Sequence, residues 1–160
     1  MKKRSLLKKI LITGLIAANV GLAIGLYLFN MPHRNVQSAK ADYSLTSSQI
    51  VAEYLDNKEN ANRKYLTANC NSKILEITGS VRKISEDYNG QKVVLIMNRG
   101  DKAGVRASFT FETNMQVSDI ETDQEITIKG VIQSGASYDE DLELYEHVIL
   151  EKSAIARLND

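Results

Sequence analysis

The sequence predicts a mainly β fold, a small five-stranded barrel preceded by an amphipathic helix and an N-terminal transmembrane helix. Two observations support this prediction: short segments in which apolar and polar residues alternate, and one long uncharged run near the amino terminus. The chain of 160 residues has room for one domain with appendages, since domains most often contain roughly 100–150 residues. We therefore expect a single hydrophobic core.

The uncharged run extends from Ile10 to Phe29 and follows a basic end, residues 1–9. At about 1.5 Å per residue, a helix over residues 10–29 would cross a hydrocarbon core of about 30 Å. The cations before the run outnumber those that closely follow it, so we expect a single-pass protein of the cytoplasmic membrane. Its amino terminus would be cytoplasmic and its carboxyl-terminal domain extracytoplasmic, that is, periplasmic. A cleaved signal peptide, with Ala39-Lys-Ala41 as the cleavage site, is the alternative.

The same run carries small residues at a spacing of three or four positions, which is typical of helices that pack closely in membranes. They are Gly14, Ala17, Ala18, Gly21 and Gly25. This pattern predicts a face through which two copies of the chain would form a homodimer.

Charge is divided unevenly along the chain. Six of the 20 cationic residues lie in the first 34 residues, where there is no acidic residue, so the remainder has 14 cations, 20 acids and a net charge of −6. The expected extracytoplasmic domain is therefore acidic, which disfavours nucleic acid as its partner.

Residues 30–43 contain the only proline and no periodicity, and they predict a linker to a domain over residues 44–158. Thr46 and Gln49 have the spacing of a capping box, which predicts that a helix begins here. Apolar residues then recur every three or four positions, so we predict one amphipathic helix over residues 46–66.

Five strands are predicted from alternation and turn signals. They cover residues 73–84, 91–97, 105–111, 126–132 and 142–150, with a polar connector at 114–123. Gly79 and Gly130 interrupt the first and fourth strands, and we predict a bulge or bend at each. In the third strand, Phe109 and Phe111 are expected to point inward.

Five strands with a connector between the third and fourth describe the Greek-key barrel called the OB-fold. Residues 43–156 resemble the tRNA-anti-like family of bacterial OB-fold proteins, many of them preceded by a membrane segment or lipoprotein signal. The resemblance depends on Tyr54, Asn57, Ala61 and Tyr65, on Lys73-Ile-Leu-Glu-Ile-Thr-Gly79-Ser-Val81, on Ile126-Thr-Ile-Lys-Gly130, and on Leu150-Glu-Lys-Ser-Ala-Ile155. Ser153 stands where a cysteine is usual in that family. The resemblance implies a fold and no particular activity.

The residues indicate binding and not catalysis. The sequence has one cysteine, Cys70, two histidines, no metal-ligand spacing and no glycine-rich phosphate loop, so we predict no catalytic residues, no metal site and no cofactor. Asp139-Glu-Asp141 offers oxygen ligands for weak calcium binding, and we interpret it as a solvated loop.

We expect the ligand to be a protein or another component of the cell envelope. The alternative is single-stranded nucleic acid or an oligosaccharide, bound on the face of the first three barrel strands. Cations concentrate in that region, and the candidate ligand-binding residues are Arg82, Lys83, Lys92, Arg99 and Arg106.

Overall fold

The structure, a computed structural model, describes Gly14 and residues 18–26, 36–67 and 72–158. The chain divides into two compact units, residues 1–35 and 36–160. In the first unit, residues 18–26 are helical and expose the apolar side chains of Val20, Leu22, Ile24 and Leu26. Within the described residues, no helix has both the length and the apolar character needed to cross a membrane. Half of the predicted transmembrane segment, and Cys70, lie outside the described residues.

The second unit contains two α-helices, eight strands and one 3-10 helix among its described residues. They are β1 (Tyr43–Thr46), α1 (Ser47–Asp56), α2 (Lys58–Tyr65), β2 (Ile74–Glu86), β3 (Lys92–Ile96), β4 (Val105–Phe109), the 3-10 helix (Asn114–Val117), β5 (Glu125–Ser134), β6 (Ser137–Asp139), β7 (Leu144–Glu146) and β8 (Val148–Leu158).

Five of these strands form a closed barrel in the order β2-β3-β4-β8-β5, which the pairing of β5 with β2 completes. The β4–β8 pair is parallel and the other four pairs are antiparallel. This arrangement is the OB-fold topology. The mainly β prediction and the five-stranded barrel are confirmed, and the interior is filled by the alternate apolar residues of each strand.

The long strand β2 pairs with two partners, as its predicted bend requires. Its first half lies beside β5 and its second half beside β3, with an irregularity in register between Val81 and Lys83. The irregularity is not at Gly79. A Cβ at Gly79 would lie 2.7 Å from the Ser47 hydroxyl oxygen, so glycine there admits the first turn of α1 against the strand. The predicted bulge at Gly130 is confirmed, since the β5–β8 register shifts between Lys129 and Val131.

The predicted helix over residues 46–66 is two helices. The capping box is confirmed: Thr46 Oγ1 accepts from the Gln49 amide and Gln49 Oε1 accepts from the Thr46 amide. α1 ends because Asn57 leaves the helical conformation and its side chain caps α2, accepting from the Asn60 amide at 3.0 Å.

The predicted fifth strand over residues 142–150 is confirmed for Val148 and Leu150, which are buried in the last barrel strand, and is wrong for residues 142–147. Leu144–Glu146 pairs with Ser137–Asp139 as a separate hairpin, and the last barrel strand is β8, Val148–Leu158. Leu142 and Leu144 are 66% and 44% exposed, so the apolar alternation before Val148 does not mark a buried face.

The third predicted strand is too long. β4 ends at Phe109, which is buried, whereas Phe111 is 65% exposed. The chain turns at this point because Thr113 Oγ1 accepts from the Thr110 amide and donates to the Ser153 carbonyl. The chain therefore leaves the sheet before Phe111, and the Phe111 side chain is exposed and does not enter the barrel interior.

The compact unit begins at Val36, inside the stretch predicted as a linker. Val36 is buried, and β1 lies parallel to the start of β2. The carboxylate of Asp42 fixes this junction by accepting from the Ile74 amide at 2.8 Å.

Candidate functional site

The five predicted cations occupy different parts of one side of the barrel. Arg82 lies at the β2 irregularity, Lys83 on the outer face of β2, Lys92 at the start of β3, Arg99 in the β3–β4 turn and Arg106 on the outer face of β4. Two of them have carboxylate neighbours: Arg82 lies 3.7 Å from Asp123, and Lys92 lies 2.7 Å from Glu86. Such exposed pairs contribute about 0–1 kcal/mol, so they would not prevent either cation from meeting a ligand.

Only Lys83 and Arg106 are brought onto the same row of the outer face. The register pairs Lys83 with Leu95, Leu95 with Arg106, and Arg106 with Ile149. Since adjacent strands lie about 4.8 Å apart, the two cationic residues are roughly 10 Å apart across Leu95. We call Lys83, Leu95, Arg106 and Ile149 the outer row.

The outer row ends in a groove with a volume of about 390 Å³. The groove lies between α2, β4, the β5–β6 connection and the start of β8. Its lining residues are Lys58, Asn62, Leu66, Arg106, Ser134, Gly135, Ser137, Glu146, His147 and Ile149. Arg106 and Ile149 thus belong both to the outer row and to the groove.

His147 is held in one tautomer by the backbone. Its Nδ1 accepts a hydrogen bond from the Gly104 amide at 3.1 Å, so the neutral ring carries its proton on Nε2. Burial, and secondarily the charge of Arg106, lower the pKa of His147 from its usual value. At neutral pH the groove therefore contains a neutral imidazole with one N–H to donate.

The acidic group in the groove is Glu146, which accepts a hydrogen bond from the Ser137 hydroxyl across the β6–β7 hairpin. Tyr138 and Tyr145 pack against each other in the same hairpin, with ring centroids 4.8 Å apart, and Lys102 lies over the Tyr145 ring. The hairpin is thereby stabilised as one wall of the groove.

The floor of the groove depends on a close contact between Gly135 and the ring of Tyr54. Tyr54 is 1% exposed, and a Cβ on Gly135 would overlap its ring carbons. Glycine is required because any larger residue would push the β5–β6 connection away from α1.

No group of three or more His, Cys, Asp or Glu residues converges within the described part of the chain. In the acidic loop considered for calcium, Asp139 Oδ1 accepts from the amides of Asp141 and Leu142. That oxygen stabilises the hairpin turn, which leaves it less available to a cation.

Sequence reasoning missed most of the groove. Lys58, Glu146 and His147 come from segments up to about 90 positions apart, and no motif links them. One signal was present: Gly135 directly follows the last residue of β5, and a glycine beside a strand is consistent with a close backbone approach.

The closed barrel with an accessory helix pair defines this protein as an OB-fold protein whose accessible surface fits a binding module. The tRNA_anti-like family model matches residues 1–141, and the chain belongs to that family. A search of curated proteins gives no match.

Proposed function

We propose that this protein is a non-enzymatic binding module, held at the outer face of the cytoplasmic membrane, that binds a protein or another component of the cell envelope. The observation that supports it most is the continuity of the outer row with the groove through Arg106. Together they offer a surface with cationic, apolar and hydrogen-bonding groups, which is the composition of small-ligand and peptide sites.

The membrane location rests on the sequence of residues 10–29. Twenty residues without charge follow a basic end, and within them residues 18–26 are helical with exposed apolar side chains. A topology reporter fused to the carboxyl terminus tests this location. Activity of a reporter that functions only outside the cytoplasm is expected, and activity of a cytoplasmic reporter would contradict it.

Binding is favoured over catalysis by the partners of the groove residues. The Ser137 hydroxyl donates to Glu146 and not to His147, and His147 Nδ1 is used by the Gly104 amide. A nucleophilic serine would need the imidazole as its base, with the carboxylate on the far side of that ring. Ser137, His147 and Glu146 are all present, but their hydrogen bonds do not connect them in the order serine, histidine, carboxylate.

The alternative ligand, single-stranded nucleic acid or an oligosaccharide, is favoured by the spacing of Lys83 and Arg106 on one face. Such ligands also need aromatic side chains for stacking. The described positions on the outer face of β3 and β4 are Val93, Leu95, Arg106 and Ser108, which are not aromatic. Salt-sensitive binding of random single-stranded RNA or DNA to the whole protein in neutral-lipid nanodiscs would favour this alternative.

Photo-crosslinking in the native membrane tests the leading proposal. A photoreactive amino acid replaces Ser85, which is exposed on β2 near Lys83, or Glu151, an exposed control residue on β8 that belongs neither to the outer row nor to the groove lining. We expect Ser85 to capture a defined adduct that Lys83→Gln diminishes. Equal capture at both positions would contradict a binding surface on this face.

A further inference from the structure

Two cations in the groove have no acidic partner among the described residues. Lys58, at the first position of α2, and Arg106, on β4, form none of the ion pairs found in the described part of the chain. Among the other candidate binding cations, Arg82 and Lys92 are paired, whereas Lys83 and Arg99, which lie outside the groove, also form none of these ion pairs. A groove with unpaired cations attracts an anionic group.

The charge of the groove limits how negative that group can be. Lys58 and Arg106 carry two positive charges and Glu146 one negative charge, and His147 is neutral, so the lining has a net charge of +1. A phosphate monoester carries about −1.5 to −2 at neutral pH and would be repelled by Glu146. A single carboxylate matches the groove better, because it also forms bidentate hydrogen bonds with an Arg guanidinium.

Apolar and neutral groups complete the lining. Leu66 and Ile149 are half-buried and can cover an aliphatic side chain. The remaining carboxylate oxygen of Glu146, beyond the one that accepts from Ser137, can accept from an amide N–H. A carboxylate, an aliphatic side chain and an amide N–H occur together at the carboxyl end of a peptide.

We propose that the groove binds the free C-terminal carboxylate of a peptide whose last residue is aliphatic. Lys58 and Arg106 hold the carboxylate, Leu66 and Ile149 cover the last side chain, and Glu146 accepts from the last peptide amide. This inference rests on the proposed function, since it names the ligand end group that the module would recognise.

Fluorescence anisotropy on the full chain in neutral-lipid nanodiscs tests it. The probes are an N-terminally fluorescein-labelled tetrapeptide of sequence Gly-Gly-Ala-Leu and the same peptide with a C-terminal amide. We expect the free acid to bind about tenfold more tightly than the amide, because only the acid carries the charge that Lys58 and Arg106 attract. Lys58→Gln should remove most of that difference.

Lys152→Gln is the matched control, because it removes one exposed cation from β8 outside the groove. It should leave the affinity for the free acid unchanged. Lys58 is exposed at the start of α2, so circular dichroism should show both variants folded.

Three results would overturn the inference: equal affinity for acid and amide, no binding of the acid at about 1 mM, or a loss of affinity in Lys152→Gln equal to that in Lys58→Gln. Stronger displacement of the peptide by dimethyl phosphate than by acetate would also overturn it, in favour of a phosphodiester ligand. If the peptide fails while crosslinking at Ser85 still depends on Lys83, this inference alone fails. If that crosslinking also fails, so does the proposed function.

Discussion

The contact between Gly135 and Tyr54 allows a quantitative test of how the groove is built. In Gly135→Ala, the new Cβ would overlap Cδ1, Cε1 and Cζ of the Tyr54 ring, whereas carbon atoms pack favourably only at about 3.5–4.0 Å. The ring is 1% exposed and packs beside Tyr65, with centroids 6.1 Å apart, so it has little room to move. Relief would require a shift of either the β5–β6 connection or α1.

Overpacking of this kind costs typically 1–3 kcal/mol, and the backbone position of the clash favours the upper end, about 3 kcal/mol. For a folded unit of this size, 1 kcal/mol corresponds to about 3–4 °C, so the Tm should fall by about 10 °C. Thermal and urea unfolding, followed by circular dichroism, measure this change in the free energy of unfolding.

A double-mutant cycle identifies the cause. Tyr54→Leu removes the ring, so Gly135→Ala should then cost much less than it does beside the tyrosine, with a coupling energy of about 1.5 kcal/mol or more. If Gly135→Ala costs under about 1 kcal/mol, or if the two changes are additive, the close approach does not shape the groove.

Three further changes test buried polar groups by unfolding measurements. The Tyr54 hydroxyl is buried without a hydrogen-bond partner in the described structure, and burial raises the pKa of Tyr54 to about 12, so Tyr54→Phe should stabilise the fold by about 1 kcal/mol. The Tyr65 hydroxyl donates to Glu53 at 2.8 Å, so Tyr65→Phe should instead destabilise it by about 1.5 kcal/mol, and equal effects of the two changes would refute this contrast. Burial and Arg106 lower the pKa of His147, so the unfolded chain takes up this proton at higher pH than the folded one. The stability that the neutral His147 ring contributes is therefore complete above about pH 6.5, the pKa of the unfolded chain. It is lost as the pH falls through the lower pKa of His147 in the folded protein. His147→Gln should flatten the Tm between about pH 7 and pH 5, and an unchanged slope would contradict it.

Sequence periodicity was sufficient to predict the barrel strands because each strand has one buried and one exposed face. Alternation in β2, β4 and β5 corresponds to alternation in burial, and the resemblance to the tRNA-anti-like family is confirmed by the family match. The errors in the predicted strand boundaries occur where exposed apolar residues continue the alternating pattern of a strand. Phe111 and Leu142 continue an apolar pattern past the point where the chain leaves the sheet.

The candidate site was predictable only in part. Cations on neighbouring strands could be grouped by sequence, and Lys83 and Arg106 do share the outer row. The register that brings Lys83 onto this row was not predictable, because it depends on a one-residue irregularity in β2 between Val81 and Lys83. Whether any of these residues binds a ligand remains a prediction.

The sequence alone determined the class of fold, the acidic character of residues 35–160 and the helix start at Thr46, because each depends on local pattern or composition. The tertiary structure decided how α2, the hairpin and β8 bring Lys58, Glu146 and His147 into one groove. Residues so far apart in the chain have no local interaction from which their proximity could be predicted. Barrel closure, the break at Asn57 and the contact of Gly135 with Tyr54 bring them together.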